Sequence, residues 1–149
     1  MKQELTFFKN FWGLSYELKN GDQIIGTAKR DSGFSKNTTV KLNDTTFYFN
    51  SKGLAPGQSS EQIDIYTENA TIVGTVSPSW EGKATIFLKD VGVFTFNRQG
   101  MFSENWEMCF GSESILSVKK KIFLQKGSIT VHKQDDLLLI VGMFLMLCY

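Results

Sequence analysis

The sequence predicts an all-β protein with one helix: about twelve antiparallel strands closed into a barrel around a C-terminal hydrophobic α-helix. Three observations carry this expectation. Phe occurs 13 times and Thr 12 times, against four Ala and two Pro. Aromatic and β-branched side chains suit a pleated, half-buried surface, and Ala, the best helix former, is scarce. Turn residues recur at short intervals between apolar and alternating runs. The final thirteen residues, Leu137 to Tyr149, carry no charge, and only Gly142 among them lies outside the apolar set. A chain of 149 residues is expected to form one domain, 1–149, with enough buried surface to fold without disulfides.

Taken in order, the candidate strands cover 4–8, 14–19, 23–30, 38–42, 46–50, 62–67, 71–77, 83–88, 92–97, 104–110, 114–124 and 128–134. Turns are expected at Asn20-Gly21, Asn43-Asp44, Glu68-Asn69, Lys89-Asp90 and Lys126-Gly127. A two-residue turn at Glu68-Asn69 sets Ile65 opposite Ile72 and Asp64 opposite Val73, giving one apolar and one mixed face. The register after Asn20-Gly21 stays open, because the same turn geometry sets Leu18 against Gln23. Arg30 to Ser35 and Ser51 to Ser60 are rich in Gly, Ser and Pro and read as surface loops. No repeat of fixed period is visible.

The helix is expected over about 136–148. Asp135-Asp136 supply a cap for free amide groups and suit the positive end of the helix dipole. A helix apolar on every side must be surrounded. Thirteen residues at ~1.5 Å each reach ~20 Å, short of a ~30 Å hydrocarbon core, so a closing sheet is favoured over lipid as the surround. Closure also removes edge strands.

Roughly twelve strands followed by an apolar helix resemble the tubby C-terminal-like superfamily, which includes tubby domains, LURP-one-related proteins and the core of phospholipid scramblases. Local motifs agree with this. Tyr16-Glu17-Leu18-Lys19-Asn20-Gly21-Asp22-Gln23-Ile24-Ile25-Gly26 looks like the family's opening strand, turn and Ile-Gly element, and Ile72-Val73-Gly74-Thr75-Val76 looks like its second occurrence. Gly127-Ser128-Ile129-Thr130-Val131, leading into Asp135-Asp136-Leu137-Leu138-Leu139, resembles the closing strand and helix. The resemblance implies a twelve-stranded barrel threaded by a helix, with lipid or phosphoinositide binding in some members. The short, single-domain LURP-one-like proteins fit the chain length best. The acidic calcium-binding stretch of scramblases has no counterpart here.

Charge and motif content narrow the function classes. Sixteen basic and 15 acidic residues give a net charge of +1, unlike a nucleic-acid binder. His132 is the only histidine, which excludes HExxH and His-rich metal sites within one chain. No Gly-x-Ser-x-Gly elbow occurs, and Cys109 and Cys148 form no CxxC pair. The expectation is a non-enzymatic, monomeric protein without cofactor or metal. No secretory signal is visible at the start, which points to a cytoplasmic chain with reduced thiols, peripheral to membrane where it binds. Of Trp12, Trp80 and Trp106, at least two are expected in the core.

From Ser114 to Gln134 there are five lysines and no acidic residue. A two-residue turn at Lys126-Gly127 pairs Leu124 with Ile129, Lys121 with His132 and Lys119 with Gln134. Lys119, Lys121, Lys126, His132 and Lys133 then form a candidate site for an anionic phospholipid headgroup or another anion. Lys120 and Lys133 share the apolar face at a barrel mouth, with covered stems and solvated ammonium groups. The same lysines would also serve as a solvated edge that keeps the protein soluble. Two further readings stay open: a small barrel carrying an apolar ligand, and a structural or protein-interaction domain.

Overall fold

The computed structural model describes residues 3–10, 14–32, 35–52, 61–79, 83–99, 105–121 and 126–148. Among them run β1 (Gln3–Lys9), β2 (Ser15–Asn20), β3 (Gln23–Ser32), β4 (Ser35–Leu42), β5 (Thr45–Ser51) and β6 (Ile63–Thr67). Then come β7 (Ile72–Ser79), β8 (Lys83–Leu88), β9 (Gly92–Arg98), β10 (Asn105–Phe110), β11 (Glu113–Lys121), β12 (Lys126–Val131) and α1 (Asp136–Cys148). All twelve expected strands are present, and the helix has the expected bounds. Each strand pairs antiparallel with its neighbours in sequence, and β1 pairs with β12, so the sheet is a closed barrel. Among the described residues, no helix is long and apolar enough to cross a membrane.

The two ends of the barrel differ. At one end lie the tight turns, and each contains one residue in the left-handed region: Gly21, Asn43, Ala70, Asp90 and Gly111. That conformation comes cheaply to Gly, Asn and Asp, and is unusual for Ala70. Ala70 closes a turn in which its amide donates to the Thr67 carbonyl and the Thr67 amide donates to the Thr71 carbonyl. The connections at the other end, here the loop end, run β1–β2, β3–β4, β5–β6, β7–β8, β9–β10 and β11–β12.

Registers depart from expectation in a regular way. β2 and β3 turn at Gly21-Asp22, with Asn20 opposite Gln23. β6 and β7 set Ile65 opposite Gly74 and Asp64 opposite Thr75, two residues from the two-residue-turn register. The cause is the longer Thr67–Thr71 turn together with a bulge. Three such bulges follow tight turns, and a further register shift separates Arg30 from Ser32 in the β3–β4 ladder. Ile25 in β3, Val73 in β7 and Ile115 in β11 are extra residues, skipped by the partner strand. Each of their carbonyls accepts an amide just past the following strand: Asn43, Lys89 and His132 respectively. The three bulges stand four strands apart around the ring. Gly26 and Gly74 follow the first two, and a Cβ there would collide with the Lys41 and Phe87 carbonyl oxygens. Close strand approach therefore accounts for glycine in both Ile-Gly and Val-Gly motifs. Arg30 to Ser35, expected as a loop, belongs largely to β3 and β4, with Gly33 and Phe34 outside the described residues. Residues 53–60 of the second expected loop, together with Trp12 and Trp80, also lie outside them.

Alternation along the strands builds one continuous core, with Phe49, Phe96, Leu18, Ile65, Ile86 and Met108 among its fully buried members. Trp106 is buried and stacks on Phe96. Asp64 breaks the pattern, being a buried carboxylate between two buried isoleucines. It accepts the Lys52 ammonium at 2.7 Å and the Tyr66 hydroxyl at 3.4 Å.

Asp135 caps α1, its Oδ1 accepting the Leu138 amide at 3.1 Å. Leu138 to Leu147 are ten consecutive buried residues. Contacts to them come from well-separated strands. The Tyr16 hydroxyl (β2) donates to the Met143 carbonyl at 2.6 Å. Phe49 (β5) stacks on Phe144 at a centroid distance of 4.3 Å. Leu116 (β11) reaches Gly142 so closely that a Cβ there would lie 2.8 Å from its Cδ1. Leu116 stands where the other two bulges have Gly, so here the helix, rather than the strand, gives up the side chain.

This exchange predicts a coupling. Gly142→Ala gains about 1 kcal/mol of helix propensity, offset in the wild type by crowding against Leu116. Leu116→Ala should cost about 2–5 kcal/mol. In that background the added methyl fills vacated space, and Gly142→Ala should recover at least about 1 kcal/mol. Urea unfolding of the four proteins measures the cycle, and equal effects of Gly142→Ala in both backgrounds would refute the contact.

Candidate functional site

The β11–β12 hairpin does not turn at Lys126-Gly127. Lys126 and Gly127 begin β12, and residues 122–125 connect the strands outside the described residues. The observed pairs are Leu116 with Val131, Val118 with Ile129, Lys119 with Ser128 and Lys121 with Lys126. The register is displaced by six residues from the expected one. Six is even, so every side chain keeps its expected face, but its height along the barrel changes.

That displacement divides the expected lysine site. Lys119, Lys121 and Lys126 stand together towards the loop end. His132 and Lys133 lie past the other end of β12, about 20 Å from Lys126 at ~3.3 Å per residue. His132 is tied there, its amide donating to the Ile115 carbonyl and its Nε2 lying 2.7 Å from the Ser117 hydroxyl. It is not beside Lys121. Lys133 is exposed at the turn end and does not share a mouth with Lys120.

Registers across the barrel closure identify what the three lysines do face. One row of outward positions runs Lys119 (β11), Ser128 (β12), Thr6 (β1) and Lys19 (β2). The next runs Lys121, Lys126, Phe8 and Glu17 across the same strands, then Thr27 in β3. A groove of about 1050 Å³ lies over these rows, with Lys119, Lys126, Lys19 and Lys29 on its walls. Phe8 lies within it and is 64% exposed, the most exposed large apolar side chain among the described residues. Glu17 is the one acidic group among the described residues of the lining. The Lys121 side chain lies outside the described atoms. Sequence reading finds Lys119 and Lys126 from their local run but misses Lys19, Lys29 and Phe8. Those residues join the site only through the β1–β12 pairing, which no local pattern announces.

Lys120 faces the other way, on the inward side with Leu116 and Val118, and is half-buried. Its ammonium is within hydrogen-bonding reach of Lys9, and Arg98 and Cys148 lie close by. Burial, then the Lys9 charge, pulls the Lys120 pKa down to about 7. Burial lowers that of Lys9 as well. The Cys109 thiol is not activated in the manner of a nucleophile. Burial and a hydrogen bond to Glu107 push Cys109 up to about 11. The Cys148 Sγ lies 3.5 Å from the Thr38 hydroxyl.

Comparisons of this chain with models of protein families, with curated proteins and with solved structures find no match.

The Lys120 shift has a sign. Its folded pKa of about 7 lies below the ordinary value of 10.5. Between the two, the unfolded chain holds a proton that the folded chain has released, so stability should rise from about pH 7 to about pH 9, above which the raised Cys109 and Tyr16 groups oppose it. Lys120→Met should flatten the rise and stabilise the protein below pH 7, by up to about 5 kcal/mol at about 1.4 kcal/mol per pKa unit before solvent screening at this half-buried position reduces it. Denaturant melts across the pH series check this, and a wild-type stability that falls over the same window would contradict the placement.

Proposed function

We infer that this chain is a non-enzymatic binding module of the tubby-like kind, whose outer groove seats on anionic phospholipid. The observation that carries the reading is the groove itself, where an exposed aromatic ring lies among ammonium groups drawn from several strands. That combination matches the level of a bilayer where headgroup phosphates meet the first acyl carbons. Four lysines at about 1 kcal/mol each, opposed by Glu17, together with burial of Phe8 at ~2 kcal/mol, come to roughly 5–6 kcal/mol. This corresponds to binding of about 100 μM, a reversible peripheral contact.

The order of twelve antiparallel strands and one C-terminal helix supports the tubby-like relationship. Burial of ten consecutive helix residues, with contacts from β2, β5 and β11, supports a helix that fills the barrel. A filled interior favours the groove over the alternative of a barrel carrying an apolar ligand, because little room then remains for an acyl chain.

Purified protein should cosediment with phosphatidylserine-rich vesicles and not with phosphatidylcholine vesicles. Replacing Lys119, Lys121 and Lys126 with Ser should weaken the association at least tenfold. Its melting temperature should stay within a few degrees, since exposed charges contribute little stability. Salt at ~0.5 M should abolish binding as the Debye length falls well below 8 Å. Phe8→Ser should weaken binding even at low salt. His132→Asn should change nothing, because His132 stands at the opposite end. Equal binding by wild type and the triple variant at low salt would assign these lysines to solubility.

A further inference from the structure

The outer groove is not uniformly positive, and the ladders fix the order of its poles. Lys119 pairs with Ser128, and Lys126 stands two residues before Ser128 on the same face, so two ammonium groups flank one hydroxyl. On the far side of β1, Glu17 and Lys19 stand two residues apart on the outward face of β2. Phe8, on β1, lies between these poles and pairs directly with Lys126 on one side and Glu17 on the other. Neighbouring strands are ~4.8 Å apart, so roughly 10 Å separates the Lys126 and Glu17 backbones. Lys119, Lys126, Lys19, Glu17 and Phe8 are all exposed. Among the described residues, no ion pair joins Glu17 to a lysine of the groove. The segments 11–13, 33–34 and 122–125, which connect groove strands outside the described residues, contain no charged residue.

We propose that the groove selects the phosphoserine headgroup of phosphatidylserine over other anionic headgroups, and that the ammonium of that headgroup is what it recognises. Lys119, Lys126 and Ser128 take the phosphate, Glu17 and the face of the Phe8 ring take the ammonium, and Lys19 takes the carboxylate. This rests on the groove as a seat for anionic phospholipid and adds which lipid it takes. The charges match in sign and in order. Phosphate and ammonium stand about one strand spacing apart in the headgroup, ~4.8 Å, within the span between the two poles. The carboxylate and ammonium share a carbon, as Lys19 and Glu17 share one face of a strand. Lysine is a flexible point charge with three donors and adapts to either anionic group. A carboxylate in a groove for a simple anion only repels it, whereas a ligand that brings a cation turns the same carboxylate into an attraction. The negative face of an exposed aromatic ring adds to that attraction. The ammonium also separates lipid from phosphoprotein. A phosphoserine within a protein chain has its nitrogen and carboxyl tied up in peptide bonds and presents the phosphate alone.

Vesicles containing equal mole fractions of phosphatidylserine or phosphatidylglycerol test the selectivity with the full chain. Both headgroups carry one net negative charge, so the two surfaces attract lysines equally. The wild type should bind the phosphatidylserine vesicles at least about fivefold more tightly. Glu17→Gln should strengthen binding to phosphatidylglycerol and not to phosphatidylserine, bringing the two within about twofold. Phe8→Leu keeps an apolar side chain and loses the ring face, and should lower the same ratio. Glu4→Gln, an equal change of charge on β1 outside the groove, should leave the ratio as in the wild type. These positions are exposed, and the variants should melt within a few degrees of the wild type. Equal binding of the wild type to both vesicles, or a Glu17→Gln variant that gains equally on both, overturns the selectivity and leaves the groove reading intact. A wild type that binds neither vesicle overturns both.

Discussion

A thirteen-residue helix with no polar side sets the terms for the rest of the chain. Such a segment is stable only where apolar atoms meet it in every direction, and a single sheet layer meets it from one side only. The strands answer with one buried residue in two, and the helix answers with exchanges at the level of single groups. Gly142 admits Leu116, and Met143 fills the space left by Gly26. Tyr16 gives its hydroxyl to a helix carbonyl, and burial holds that phenol in its protonated, donating form.

Much of the fold was legible because it rests on local signals. Alternation, turn residues and the uncharged terminal run located all twelve strands, and Asp135-Asp136 located the helix start. What escaped were features decided between segments. The three bulges have no residue signature of their own; Ile25, Val73 and Ile115 look like ordinary strand residues. The β11–β12 register failed because Lys126-Gly127 has the composition of a turn. There Gly127 instead lies under the Phe7 ring, where a Cβ would stand 2.7 Å from its Cζ. The even displacement kept Lys119 on the outward and Lys120 on the inward side while separating His132 from Lys121 and leaving Lys133 exposed at the turn end. Lys119, Lys121 and Lys126, three of the five expected residues, remain neighbours in the β11–β12 ladder.

The two ends of the barrel perform different tasks. The turn end is conformationally expensive, with a left-handed residue in each of five turns and three bulge carbonyls tied to the segments beyond. At the loop end Lys9 and Lys120 meet half-buried, and burial lowers the pKa of both.

Eleven of the twelve ladders join strands adjacent in sequence. The twelfth, between β1 and β12, joins residues more than 110 positions apart, such as Phe8 and Lys126. It is the seam of the barrel, and its closure bears the largest loop entropy of any ladder. The groove lies across that seam, with walls from β11 and β12 on one side and β1, β2 and β3 on the other. Anything held there acts as a clasp. Opening the seam would break both the ladder and the bound contact, so occupancy and barrel closure are thermodynamically linked. An empty barrel would be the form more prone to part at β1 and to offer its freed strand edges to another copy.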